Sequence, residues 1–317
     1  MTDELELDPT APLRARSVDD LLDLVPSLLG FHPTESLVAV LIERGRVQVT
    51  ARLDLADAGD AGRLAGAFQP LLARFPGASW LLAAYTPDAD QAWAALDAAD
   101  ALLPWEAGVW VAHVGVGRWF ATPDDPGVPY DPGCSALAAE AAYRGIRVLP
   151  DRGEIAQALE ATAAPADLEA ALERVIAVPP EATVSRALRL AAAKMRATEP
   201  VDLEEAAVLA VAAFSPRFAE VIVTGIDHGN VAQARALWTE VVRSTTAFAG
   251  SAAAVILGVA AWVSGDGALQ NVCLERAEPY LADSYWFRFL DFVSRVALPP
   301  TEWEGVRLDL LRGLGAA

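Results

Sequence analysis

Along residues 46–55, apolar Val47, Val49, Ala51 and Leu53 alternate with Gln48, Thr50, Arg52 and Asp54. A period of two puts like side chains on one face of a strand, so this run predicts one arm of an antiparallel hairpin with a wet face. The other arm is Ser36 to Ile42, and Glu43-Arg44-Gly45 joins the two. Upstream, Ser17 stands at an N-cap position with Asp20 three residues on, opening a helix through Val25. Pro26, Gly30 and Pro33 break that pattern. Downstream, helical and strand patterns alternate: helix 61–75, buried strand 79–86, helix 89–103, strand 108–116. A loop rich in Pro, Gly and Asp follows (122–133), then a helix from Ser135 to Arg144, a short strand 146–149 and a helix from Gly153. Alternation of this kind predicts an α/β domain with a mixed sheet that includes an antiparallel hairpin, spanning 17–160 behind a flexible tail of residues 1–16.

From residue 161 strand signals vanish. Helical patterns at 167–176, 181–197, 203–213, 230–244, 249–263, 267–278, 283–296 and 302–313 predict an all-α helical-hairpin domain over 161–317. One hairpin is specific. In LGVAAWVSGDGALQNVCLERA (257–277), Gly258, Ala260 and Ala277 let two helices approach closely, and Leu257 and Trp262 fill the space between them. Gly265 can take positive φ to end the first helix, and Asp266 can cap the second. This stretch resembles a tetratricopeptide repeat, with Gln270 where such repeats carry alanine. A second turn at His228-Gly229-Asn230 lies 36 residues before Gly265, near the 34-residue period of those repeats. The segment before it is atypical, so a small helical domain is expected rather than a full array, with scaffold favoured over ligand groove.

Composition narrows the partners. The chain has 317 residues, 24 Lys and Arg against 43 Asp and Glu, and a formal charge of −19. A surface this negative repels phosphate backbones and anionic headgroups, so neither nucleic acid nor a membrane is an expected partner. The start, MTDELELDPTAPLRARS, is not a secretory signal. Phe248 to Val263 is apolar but shorter than the roughly 20 residues of a spanning helix. Cys134 and Cys273 are too few and too far apart for a disulfide framework or a zinc site. A cytoplasmic protein is expected, with no metal and no cofactor, because Walker A, G-x-G-x-x-G, H-E-x-x-H and C-x-x-C are absent from the sequence.

Candidate chemistry gathers in the loop Leu29 to Ser36. His32 beside Glu35 suits proton transfer, and Ser36 suits a nucleophile. The alternative, favoured because no second base or oxyanion motif accompanies them, is that Gly30 makes the turn, Phe31 packs and Ser36 bonds the backbone. Asp54 and Tyr85, at strand ends, complete a candidate cleft with His32, Glu35 and Ser36, at the sheet edge where α/β proteins bind ligands. Asp124, Asp125 and Asp131 have a composition suited to a hard cation but not the spacing of a calcium loop. His113 reads as a core histidine and His228 as a turn residue.

Five segments, DLLDLVPSLLGFHPTESLVAVL (20–41), RVQVTARLDL (46–55), GRWF (117–120), ALAAEAAYRGIRVLPDRGEIAQAL (136–159) and AAWVSGDGALQNVCLERA (260–277), together resemble the bacterial domain-of-unknown-function family numbered 4192. The resemblance covers nearly the whole chain and implies no particular reaction. Many relatives carry a cysteine-bearing loop after the GRW motif; here that loop is ATPDDPGVPYDPG, with Cys134 only at its end, so no cysteine chemistry is implied for it. The sequence thus predicts a protein-interaction or scaffolding module acting through the helical domain. A strand-end enzyme or small-ligand site is the alternative, and self-assembly through Tyr285-Trp286-Phe287 a third reading.

Overall fold

A computed structural model describes residues 13–197 and 199–315, so most of the expected tail lies outside the described residues. The chain divides into two compact units between Arg152 and Gly153, ahead of the expected boundary at 160. The residues around 160 are held by the second unit: Arg276 reaches the Glu160 carboxylate at 3.4 Å, and the Thr162 N–H donates to the Arg243 carbonyl at 3.0 Å.

In the first unit, helix α1 (Val18–Leu29) starts on Ser17, whose hydroxyl accepts from the Asp20 N–H. It runs past the expected end at Val25, straight through Pro26. Proline has no N–H for the carbonyl four residues back, which here belongs to Leu22. The Tyr130 hydroxyl donates to that carbonyl instead, at 2.9 Å. Gly30, at φ +80°, then reverses the chain, its N–H bonding the Pro26 carbonyl; such a left-handed turn favours glycine.

The sheet contains β1 (Ser36–Glu43), β2 (Arg46–Asp54), β3 (Ser79–Tyr85), β4 (Val109–Val114), β5 (Arg118–Phe120) and β6 (Val128–Pro129), in the order β2-β1-β3-β4-β5-β6. β3 and β4 are parallel and every other pair antiparallel, which makes the mixed sheet the sequence predicts. Helices α2 (Leu55–Ala58), α3 (Ala61–Arg74), α4 (Ala89–Asp100) and α5 (Ala136–Tyr143) complete the unit. Arg44 and Gly45 both have positive φ (53° and 71°), which turns β1 tightly into β2. The alternation in β2 does not line a single face. The register shifts so that Leu41 pairs Val49 and Ile42 pairs Val47, leaving Gln48 as a bulge. Val47 therefore joins Ile42 against the α1 side of the sheet, while Val49 faces the other way.

On the α1 side, Leu22 and Val25 pack over Val38, Val40, Leu81, Ala83 and Val114. On the opposite side Phe68 of α3 stacks on Trp80 at 5.6 Å. Two short stretches depart from expectation. Residues 146–149 form a single parallel bridge, Leu149 to Phe31, rather than a strand. Within the loop, Val128-Pro129 pairs with β5 as an edge strand, where the missing proline N–H costs no ladder bond.

The second unit is helical throughout: α6 (Gly153–Gln157), α7 (Pro165–Ile176), α8 (Pro180–Ala197), α9 (Leu203–Ala213), α10 (Pro216–Thr224), α11 (Val231–Arg243), α12 (Ser251–Val263), α13 (Gly267–Leu281), α14 (Tyr285–Arg295) and α15 (Trp303–Gly315). Of these, α10 is absent from the sequence reading. All 13 residues of α12 are buried, as an all-round apolar helix requires. A Cβ on Gly258 would lie 2.5 Å from Leu290 Cδ2 and 3.1 Å from Cys273 Cβ, so any larger residue would force Leu290 to shift. Gly265 takes φ +82°, and the Asp266 carboxylate accepts from the Leu269 N–H at 3.0 Å. Leu257 and Ala277 are fully buried, and the Trp262 indole donates to the Leu298 carbonyl at 2.7 Å. Among the described residues no single helix is long and apolar enough to cross a membrane; α9 and α10 pass that test only as a pair bent by 102°.

Candidate functional site

A cleft of about 270 Å³ lies at the carboxyl ends of the parallel strands β3 and β4. In open α/β sheets this is the edge where ligands bind. It forms where four stretches meet: the loop from α1 to β1, the Thr86-Pro87 turn after β3, the Gly115-Val116-Gly117 turn after β4, and the loop carrying Tyr130 and Pro132. Gly117 takes φ +69°, and the Gly115 N–H closes the turn on the Arg118 carbonyl at 2.9 Å. Pro26, Pro33, Pro87 and Pro132 give the cleft rigid apolar walls.

His32, Glu35 and Tyr85 line this cleft together, as the sequence proposes. Glu35 is held in the left-handed region at φ 44°, a conformation that a non-glycine residue keeps only when its surroundings impose it. Its carbonyl accepts the Leu55 N–H at 2.9 Å, and both its carboxylate oxygens face the Thr86 hydroxyl, at 3.0 and 3.2 Å. Thr86, the residue after β3, is itself pinned. Its N–H bonds the Val114 carbonyl at 3.1 Å, its carbonyl accepts from His113 Nε2 at 2.9 Å, and its hydroxyl accepts the Asp88 N–H at 3.2 Å.

Tyr85 is 6% exposed, and its buried hydroxyl has no hydrogen-bond partner. The Tyr130 hydroxyl is its neighbour, close enough to act on its ionisation through charge and through a contact looser than a well-formed hydrogen bond. Burial first, then Tyr130 and the Asp23 carboxylate, push the Tyr85 phenol well above its ordinary value. Burial, with Asp23 and then Asp131 adding to it, raises Tyr130 likewise, against a lowering contact with the Tyr85 hydroxyl. Burial also raises Asp23 itself, against a lowering hydrogen bond from Ser135. The Asp131 carboxylate is lowered, chiefly by Cys134 and the Gly133 N–H and to a lesser degree by His32.

Two proposed residues do not line the cleft. Ser36 is fully buried; its hydroxyl donates to the Thr34 carbonyl at 2.6 Å and accepts from Arg52 Nε at 2.8 Å. A hydroxyl committed on both sides and out of reach is no nucleophile. Asp54, across the sheet from it, pairs with the same Arg52 at 2.6 Å. The bonding role expected of Ser36 is the one observed, as are the Gly30 turn and the packing of Phe31. Asp125 accepts from the Ala121 and Gly127 N–H groups and Asp131 from Gly133, so these carboxylates shape their loop. His113 is a buried histidine stacked on Phe120 at 5.3 Å. His228 lies exposed in a turn closed by Asp227, whose carboxylate accepts from Gly229 and Asn230.

Sequence reasoning missed Thr86 and gave Tyr130 no part in the cleft. Thr86 directly follows the run SWLLAAY, and its strand-end position was the available signal. Nothing local connects Tyr130 with Leu22, 108 residues earlier.

The second unit carries a groove of about 290 Å³ among α9, α10, α12 and α14, lined by Phe214, Val255, Ile256 and Trp286. Beside it Phe214, Phe248 and Tyr280 form a row of ring contacts at 5.5 and 5.6 Å, each ring exposed. Trp262, expected to fill the space between helices, is 4% exposed and packs edge-on against Phe289 and Trp303.

Neither a curated protein nor a solved structure matches the chain significantly. The family model described as Domain of unknown function (DUF4192) matches residues 19–300, and the chain belongs to that family.

Proposed function

We propose that this member of the DUF4192 family binds a small molecule in the strand-end cleft of its first unit. The observation that carries this reading is the Tyr85 hydroxyl, buried and unpartnered within the lining of the cleft. A buried hydroxyl left without a partner forfeits about 1–3 kcal/mol, which a bound acceptor would return. The volume, just below the roughly 300–1,000 Å³ of drug-sized sites, suits a metabolite rather than a peptide. Binding is favoured over covalent catalysis because Ser36 is unavailable. Both cysteines are free, which fits a cytoplasmic setting that keeps thiols reduced.

The test is ligand-observed NMR of the full chain against a metabolite library, repeated with Tyr85→Phe. Hits that weaken about ten-fold or more in the variant support the reading, one factor of ten being the loss of a single good hydrogen bond. An absence of hits, or hits indifferent to the variant, refutes it.

A second reading, docking of a protein partner on the helical unit, is favoured by the exposed row Phe214, Phe248 and Tyr280 beside the apolar groove. On this reading the tetratricopeptide-like hairpin of α12 and α13 is the scaffold, and the partner meets the aromatic row. A specific partner co-purifying with wild type and lost with Phe248→Asp supports it; retention of that partner by the variant counts against it.

A further inference from the structure

Building on the cleft reading above, we infer that the ligand is a small protonated amine, its cation against the Glu35 carboxylate and its ring or chain between the proline walls. Four observations converge on this chemistry.

The first is charge. Neither arginine nor lysine lines the cleft, and Glu35 is its carboxylate. Asp23 and Asp131 lie close enough behind it to act on the two tyrosines. An anionic ligand would find no arginine or lysine fork to receive it, only the single imidazole of His32 beside the Glu35 carboxylate. Next to Pro87, which lines the cleft, the start of α4 carries the Asp88 and Asp90 carboxylates. The Gln91 N–H there is taken by the Asp88 carboxylate and the Asp88 N–H by Thr86, so those donors are occupied.

The second is the geometry of Glu35. Its side chain is exposed and receives one hydroxyl donor, from Thr86. A carboxylate offers about four lone-pair sites, so one hydroxyl leaves acceptor capacity for an ammonium. The left-handed backbone at Glu35 is sterically costly, of order 1 kcal/mol or more. With a fully anchored Thr86 it presents the carboxylate at one fixed place on the cleft wall.

The third is Tyr85. The hydroxyl is held in its neutral form by burial and by neighbouring negative groups. It therefore remains a donor for an oxygen or nitrogen acceptor on the ligand. An amine that also carries a hydroxyl or carbonyl would engage both ends of the site.

The fourth is shape. Pro26, Pro33, Pro87 and Pro132, with the Tyr130 ring, make flat apolar walls with few rotamers to order. Such walls take a ring or short aliphatic stem.

Three probes of one shape and different charge test the inference: benzylamine, benzyl alcohol and benzoate, titrated at neutral pH into the isotope-labelled full chain. Amide signals of Thr86, Gly115, Val116 and Gly117 report occupancy. The expected result is millimolar binding of benzylamine, about ten-fold tighter than benzyl alcohol, with benzoate weaker still. Glu35→Gln should abolish the preference for the amine while leaving benzyl alcohol binding and the amide spectrum of the fold in place. If benzyl alcohol or benzoate binds at the cleft as tightly as benzylamine, the amine class is wrong while the cleft stands. If Glu35→Gln keeps the preference, Glu35 is not the recognising group and the inference falls. If none of the three perturbs the cleft signals up to tens of millimolar, the cleft reading falls with it.

Discussion

Removing the Tyr130 hydroxyl should destabilise the first unit, and by an amount that depends on Pro26. In α1 the Leu22 carbonyl has no helical donor, because the residue four positions on is Pro26. Tyr130 donates to it at 2.9 Å across 108 residues of sequence. Leu22 is 0% exposed, so after Tyr130→Phe its carbonyl is left poorly solvated. An unpaired buried acceptor costs about 1–3 kcal/mol. Tyr130 is only half-buried, so partial access of water puts the expected loss at about 1–2 kcal/mol. In a Pro26→Ala background the restored N–H closes the ordinary helical bond to Leu22, and the same Tyr130→Phe change should cost about 0.5 kcal/mol or less. The difference, about 1 kcal/mol, is a coupling energy that cancels the general effects of either change, including the altered surroundings of Tyr85. Native-state hydrogen exchange of the α1 amides in the four proteins reads the first unit without requiring both units to unfold together. Equal costs of Tyr130→Phe in the two backgrounds would falsify the account of how α1 passes through its proline.

Other consequences are equally direct. Gly258→Ala should gain about 1 kcal/mol of helix propensity and lose about 1–3 kcal/mol to overpacking on Leu290 and Cys273, both fully buried. The net is a loss of about 1 kcal/mol in urea denaturation; any gain in stability would show that the two helices do not need glycine for their approach. Arg44→Asn should stabilise the hairpin by a few tenths of a kcal/mol, since two successive positive-φ residues suit Asn-Gly, and a drop in melting temperature would contradict that turn. Tyr85 and Tyr130 have folded-state ionisations raised above the phenol range, so their neutral forms stabilise the fold below about pH 10. That stability is lost as pH rises further, and Tyr85→Phe should delete one late-titrating phenol from the absorbance curve. In thiol titration of the native chain, exposed Cys134 should react and Cys273 should wait for unfolding, because burial foremost raises its thiol. Asp131→Asn should speed Cys134, whose thiol is raised chiefly by its hydrogen bond to that carboxylate.

The sequence by itself determined whatever depends on near neighbours. Ser17 caps α1 because its hydroxyl reaches three residues on, and Asp266 caps α13 by the same local geometry. Strands β1, β3 and β4 were legible as apolar runs between helical patterns, and the close approach at Gly258 from small residues at helical spacing. His32, Glu35 and Tyr85 could be grouped because all three lie beside strand ends. Tertiary structure decided the rest, because its causes lie far apart in the chain. Tyr130 carries α1 through Pro26, where the local rule alone ends the helix. A bulge at Gln48 turns Val47 away from the face that strict alternation assigned it. Arg52 withdraws both Ser36 and Asp54 from the cleft by bonding them itself. Thr86 replaces them as the partner of Glu35, since only sheet pairing brings the ends of β1 and β3 side by side.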